Sequence, residues 1–167
     1  LEFRRVLFRS SYLTNYNAAI TYVLSQIDPL YAEGRWQDSI GRLYFLTRNP
    51  ATATVVTCDL IGSPGVTLAA GLLASDGTNT YTSLGSVTFS SGGTASVQFA
   101  CNTLGAIACP ANTLNKISTA VSGWDSVNNP AAGVAGNDVE NRTDFEYRRQ
   151  QSIASNANST QIGRAHV

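Results

Sequence analysis

The chain has no methionine, and its one histidine, His166, lies among the last residues. Histidine is the side chain whose charge changes near neutral pH and the commonest metal ligand. Without one in the body of the sequence, a Ser-His-Asp triad or a histidine-based metal site is excluded there. Charged residues make up only 13% of the chain, and the formal net charge is zero. Seven basic residues lie scattered over 11–160 against ten acidic ones. That mild acidity lacks the electrostatic footprint of a nucleic-acid binder. No apolar run approaches the ~18 residues of a membrane span, so membrane insertion is not expected. The three cysteines, Cys58, Cys101 and Cys109, form no C-x-x-C pair and leave an odd count. This is neither a zinc pattern nor a disulfide framework. They read as buried small apolar side chains, and Cys101–Cys109 is the one bridge weighed.

The ends differ from the rest. Residues 1–10 hold three of the eleven basic residues, and 161–167 holds the histidine. Both stretches can be back-translated into the two strands of a common sequencing-library adapter. They are therefore read as foreign ends and set aside from fold reasoning. Between them, at about Ser11–Thr160, an internal fragment of a longer protein is expected, in keeping with the missing start methionine.

What is present is β-rich and punctuated by glycine. Pro64–Cys101 contains one charged residue, Asp76. Within Ser86–Cys101, Val87 and Phe89 alternate with Ser86 and Thr88. After Ser90–Thr94, Ala95, Val97, Phe99 and Cys101 alternate with Ser96, Gln98 and Ala100. Period two on both sides of a Gly-Gly turn predicts a β-hairpin with one buried face. Upstream, Val56, Cys58 and Leu60 face one way in a strand over Ala51–Ile61. Short strands are expected at Val66–Leu68, Thr80–Ser83 and Asn115–Val121, with turns at Gly62–Gly65 and Asp76–Asn79.

Helices flank this region. Tyr12, Tyr16, Ile20, Val23, Leu24 and Ile27 recur at helical spacing, and Asp28-Pro29 ends the run. A second helix is expected from Trp36 to Thr47, with Trp36, Ile40, Leu43, Tyr44 and Thr47 as a packing stripe. Asp38 and Arg42 stand four apart and suit an ion pair. A last helix over Asn141–Asn158 opens on a capping box, Thr143 to Glu146, and Asp144 and Arg148 suit a second pair. Phe145, Arg149, Ser152 and Ile153 give it a weak stripe, so it must dock on something. Asp138, Glu140, Asp144 and Glu146 are the only carboxylate cluster, and helix capping accounts for them without catalysis. The glycine-rich turns lack the Lys-Ser/Thr ending of a phosphate loop.

The fold class expected is α+β: N-terminal helices, a small antiparallel sandwich or barrel-like β-domain, and a C-terminal helix that begins the next domain. The boundaries expected are a helical lead-in at 11–50, a β-domain at 51–121, a Gly/Asn-rich linker at 122–140 and a helix at 141–160. Trp124, lone in the linker, is expected to cover a core edge.

Several stretches together resemble a known family. Glu33–Asp38, Gly41-Arg42 and Leu46–Arg48 look like a helical lead-in. Pro64–Gly71 looks like an apolar strand closed by glycine. Gly123–Asn129 looks like a "V-x-N" linker. Glu140-Asn141, Phe145 and Arg148 look like an "E-S-x-x-x-F/L-x-x-R" helix start, with Asn141 where serine is usual. In order and spacing these resemble the baseplate J-like proteins of Mu-type and P2-type contractile phage tails. The resemblance implies a structural wedge subunit that links tube, hub and sheath and relays contraction. It implies other baseplate and tail proteins as partners, further copies of the chain among them. It also implies assembly in the bacterial cytoplasm, residence in the virion tail, no cofactor and no enzymatic activity. The residues expected at interfaces are Arg35, Trp36, Arg42, Tyr44, Trp124, Asn128, Glu140, Phe145, Arg148 and Arg149. The competing reading is a carbohydrate-binding or adhesin-type β-module, for which Tyr81, Trp124, Phe89 and Phe99 are the aromatic residues on offer.

Overall fold

The computed structural model describes the backbone of residues 2–164 and the side chains of 12–155. The reading of 1–10 and 161–167 as foreign ends falls on side chains outside those described. The chain divides into two compact units. Residues 50–139 form one of them, and 1–49 with 140–167 form the other. The fold is α+β.

Unit 50–139 is a nearly closed antiparallel sheet. Its strands are β1 (Ala53–Gly62), β3 (Leu73–Ser75), β4 (Thr80–Ser83), β6 (Thr94–Leu104), β7 (Lys116–Ile117) and β8 (Trp124–Asn128). Their order is β7-β3-β4-β6-β1-β8, and the outer strands β7 and β8 approach each other, which brings the sheet close to a barrel. A two-stranded sheet joins β2 (Thr67–Leu68) to β5 (Val87–Thr88). Alternation decides the inside. In β1, Thr54, Val56, Cys58 and Leu60 are buried, while Thr57, Asp59 and Ile61 are exposed. The core adds Leu68, Ala74, Tyr81, Phe89, Phe99, Cys101, Cys109, Leu114, Trp124 and Val127. The three cysteines are buried and free, so the Cys101–Cys109 bridge does not form.

The predicted hairpin is corrected in its pairing but not in its inward face. Its turn forms: the Gly93 amide donates to the Ser90 carbonyl at 2.9 Å. Its arms do not pair. β5 pairs with β2, and β6 lies between β1 and β4. The reason is competition for partners. β1 offers β6 eight paired positions, from Ile61↔Thr94 to Ala53↔Leu104. Phe89 is meanwhile held elsewhere, by bonds from its amide to Val66 O at 3.0 Å and from the Gly65 amide to its carbonyl at 3.1 Å. Asn115–Val121 is a strand only at Lys116–Ile117. Beyond it, Thr119 Oγ1 accepts from the Leu73 amide at 3.1 Å.

The stretch read as a linker is part of the sheet. Trp124–Asn128 pairs with β1, from Gly62↔Trp124 to Asp59↔Asn128. Trp124 is 5% exposed, and its Nε1–H donates to the Ser126 carbonyl, which matches the expected cover of a core edge. Beyond the strand, Val55 bridges Val134, and Thr52 and Asn137 exchange bonds at 2.8 and 2.9 Å. Gly136 is needed there: a Cβ would stand 2.7 Å from the Ala53 carbonyl carbon and from Gly105 O. A glycine-rich composition marked close backbone approach, not slack.

The helical unit holds α1 (Glu2–Ser25), α2 (Gly34–Leu43) and α3 (Arg142–Arg164). α2 stops four residues before the expected Thr47. Phe45 takes a left-handed φ of 58°, its amide donates to Arg42 O, and the Leu46 amide donates to Gly41 O. This is the Schellman closure, with phenylalanine at the position that glycine usually fills. No turn residue announced it. The buried face of α2 is also corrected. Gln37 and Gly41 are buried, whereas Trp36 is 38%, Tyr44 42% and Leu43 77% exposed.

Candidate functional site

Of the ten residues singled out from the sequence, Trp124 and Asn128 belong to the barrel and the other eight to the helical unit. Within that unit the structure brings five of them into one cluster around the start of α3: Tyr44, Glu140, Phe145, Arg148 and Arg149. Arg35 and Arg42 are exposed on α2. Arg42 does not meet Asp38. Its Nη2 bonds Ser39 Oγ at 2.8 Å, and Asp38 pairs instead with Arg48 at 2.8 Å.

Phe145 is the centre of the cluster, fully buried. It sits on Gly41: a Cβ there would fall 2.7 Å from Phe145 Cε1 and closer still to Cζ. The guanidinium of Arg48 lies 4.7 Å from the ring centroid and that of Arg148 lies 5.3 Å from it. A cation over an aromatic face is attracted by the ring quadrupole, more strongly when both are drawn out of water. Arg149 lies 5.2 Å from the Tyr44 ring.

Each arginine is also tied down at its head. Arg48 donates to Asp38 Oδ1, Gln37 Oε1 and the Glu140 carbonyl at 3.0, 2.7 and 2.7 Å. Arg148 grips Glu140 in bidentate fashion, Nε to Oε1 at 2.9 Å and Nη2 to Oε2 at 2.6 Å, and reaches the Thr47 carbonyl. Arg149 does the same to Glu146, one turn back on its own helix. Bidentate forks of this kind are the strong form of charge-assisted hydrogen bond. Glu140 Oε2 also accepts from the Asn49 amide at 2.9 Å, so one carboxylate joins positions 91 residues apart.

The electrostatics follow. The Arg148 fork holds the Glu140 carboxyl below its ordinary value, against the upward push of burial, with help from the Asn49 amide. Arg149 does the same to Glu146. The two arginines are raised in return by those carboxylates. Both pairs therefore stay ionised far outside the neutral range.

Two expectations about α3 are corrected. The cap is Asn141, not Thr143: Asn141 Oδ1 accepts from the Asp144 amide at 2.9 Å, and its Nδ2 donates to Asp144 Oδ2 at 2.7 Å. Arg148 pairs with Glu140 and not with Asp144. The carboxylate cluster dissolves in the same way. Asp138 accepts from the Ala106 amide in the barrel unit, Asp144 serves the cap, and Glu140 and Glu146 serve arginines.

Besides Arg48, which is not among the ten, the sequence reasoning missed two residues. Gln37, 1% exposed, donates to the Arg142 carbonyl at 2.9 Å and so joins α2 to α3. In the barrel unit, Asn129 matters more than its neighbour Asn128, whose amide bonds Asn112 Oδ1. Asn129 is fully buried; its amide donates to the carbonyls of Pro110 and Ala131, and its Oδ1 accepts from the Leu114 amide. Strand parity carried the signal: Val127 points in, so Asn128 points out and Asn129 in.

Among the described residues, no group of three or more His, Cys, Asp or Glu side chains is placed to hold a metal ion. Among the same residues, no helix is long and apolar enough to cross a membrane. The arrangement fixes one helix start on another through ion pairs, a cap and one ring.

No curated protein matches the chain. Residues 55–137 match the family model described as the baseplate J-like protein barrel domain, which covers the barrel from the second residue after the start of β1 through the Gly136 crossing. Through that barrel the chain belongs to the baseplate J-like family and is a component of a phage tail baseplate.

Proposed function

We propose that the chain is part of a baseplate wedge subunit of a contractile tail, without catalytic chemistry or a cofactor of its own, linking tube or hub to sheath and relaying contraction. The observation that carries this reading is the barrel of the family at 55–137, inserted between the two pieces of a single helical unit. The chain's partners are other baseplate and tail proteins, and it assembles in the host cytoplasm before entering the virion.

The carbohydrate-binding reading gains nothing from the geometry. Tyr81, Phe89, Phe99 and Trp124 are each at most 5% exposed. A sugar platform needs an aromatic face open to solvent.

The test is an affinity-labelled full-length protein expressed in cells that produce the particle. The expected result is recovery with purified tails and co-purification with sheath and hub proteins. In its absence, particles should lack a contractile baseplate. Intact, contracting tails without the protein would refute the wedge role.

A further inference from the structure

The helix α2 is turned the wrong way round for an element that serves only its own unit. Gln37 and Gly41, polar and small, are buried. Trp36 and Leu43, large and apolar, are 38% and 77% exposed. Trp36, Ile40 and Leu43 stand at steps of four and three and so form one stripe, which a surface helix ordinarily keeps for the core. Two residues past Leu43, Phe45 is 97% exposed and holds a left-handed φ of 58°. Glycine would close the helix there without strain, and the phenylalanine ring buries almost nothing in return. Packing among the described residues explains neither the stripe nor the ring.

The charges beside the stripe select what covers it. Arg35, Ser39 and Arg42 run alongside, one residue round the helix, and all three are exposed. The other arginines described in this unit are engaged. Arg48, Arg148 and Arg149 are held by carboxylates, and Arg142 donates to the Leu30 and Ala32 carbonyls. Among the described residues Arg35 and Arg42 form no ion pair, and Arg42 reaches Ser39 Oγ. The two stand seven residues apart, about 10 Å along the axis. Unpaired cations at the border of an apolar stripe complement a surface with an apolar centre and an acidic rim. The same face of a second copy is the poorer fit, because it brings the same two cations. We propose that α2 docks through Trp36, Leu43 and Phe45 onto an acidic, amphipathic segment of a different tail protein, with Arg35 and Arg42 pairing its carboxylates. This deepens the wedge reading, on which the choice of a tail protein as partner rests.

Full-length protein carrying photoreactive p-benzoylphenylalanine in place of Phe45, expressed in cells that produce the particle, reads the contact. After irradiation, mass spectrometry identifies the linked peptide. The expected result is a segment of a different tail protein that carries both apolar and acidic residues. The same photoreactive group in place of Tyr147, exposed on α3, should not link to it. Arg35→Glu with Arg42→Glu should cut the yield at least tenfold. Phe45→Gly separates contact from fold. It relieves the left-handed strain, so the thermal midpoint of the chain should hold or rise while recovery of that partner falls at least tenfold. A link to a second copy, to lipid or to nucleic acid overturns the inference. So does a link to a segment without acidic residues, no link at all, or a Phe45→Gly variant that retains the partner. Protein recovered in tails without the link sinks the inference and leaves the wedge reading intact. The link formed as expected, in particles whose tails contract normally without this chain, does the reverse.

Discussion

Gly41→Ala sets two effects against each other. In the middle of a helix, alanine is favoured over glycine by about 1 kcal/mol. α2 spans Gly34–Leu43, so propensity alone predicts a gain. The structure predicts a loss. The new Cβ would lie 2.7 Å from Phe145 Cε1, closer than real Cβ contacts come, and nearer still to Cζ. The ring has nowhere to go. It is fully buried, and Arg48 and Arg148 lie against it, each anchored by its own hydrogen bonds. Inserting a methyl group into such packing costs about 1–3 kcal/mol, and a flat ring under two fixed cations belongs at the upper end. The net expectation is a loss of about 1–2 kcal/mol in the helical unit.

Amide hydrogen exchange localises the effect. Where exchange tracks opening free energy, 1.4 kcal/mol is tenfold in rate, so the protected amides of α2 and of the first turns of α3 should exchange about 5- to 30-fold faster. Barrel amides should not change. A double-mutant cycle supplies the sharper number. In a Phe145→Ala background the clash is gone, so Gly41→Ala should there slow exchange in α2 by about fivefold. A Gly41→Ala that stabilises α2 in the presence of Phe145 would show that the ring does not rest on Gly41, and the account of the cluster would fall.

Further tests address the barrel and the charges. Phe99→Ala empties the inner face of β6 at a side chain 1% exposed and should cost about 3–5 kcal/mol in urea denaturation; a cost below about 1 kcal/mol would place that face elsewhere. Asn129→Ala orphans the Leu114 amide and the Ala131 carbonyl together, while Pro110 O keeps its bond from Thr113 Oγ1, and should cost about 2–4 kcal/mol; Asn128→Ala should cost under about 1 kcal/mol. The Arg148 and Arg149 forks hold the Glu140 and Glu146 carboxyls below their ordinary value, so their contribution to stability is present above the unfolded value and is lost as pH falls through the folded ones; acid titration should therefore destabilise the helical unit progressively, and Arg148→Gln should lower stability at neutral pH and shrink this acid dependence. Burial pushes the Cys58 thiol up to about 12, so a thiol reagent at pH 8 should label it only after denaturant is added.

The barrel was legible because alternation is a local property. Val56, Cys58 and Leu60, then Phe99 and Cys101, point inward wherever their strands pair, so the inner face survived a wrong pairing. The pairing did not, since it depends on which distant strand offers the longer ladder to β6, and nothing within Ser86–Cys101 records the length of β1. Trp124–Asn128 was read as slack because glycines and asparagines surround it. The same residues serve close crossings and a buried amide, and composition cannot separate the two uses. The end of α2 failed for a local reason: it closes on Phe45 in a conformation that glycine usually marks. α3 begins where the sequence put it, and only the capping residue differs, Asn141 in place of Thr143.

The soft motif at the start of α3 can now be explained by geometry. Asn141 precedes the helix and caps it through the Asp144 amide, which a serine could do as well. Phe145 stands one turn further on, at the face that meets Gly41. Arg148 follows by three residues on that same face, so its side chain crosses the ring and its head turns back to Glu140, just ahead of the cap. The spacing from Glu140 to Arg148 is thus the length of two helical turns folded back over one aromatic ring. Arg48, from the distant end of the unit, covers the ring beside it and takes the Glu140 carbonyl. An acidic residue, a cap, a ring and a basic residue at these intervals make a clasp that closes only when residues near 48 and near 140 are brought together. Such a clasp lets a chain leave a helical unit, build a whole barrel, and return to the point where it left.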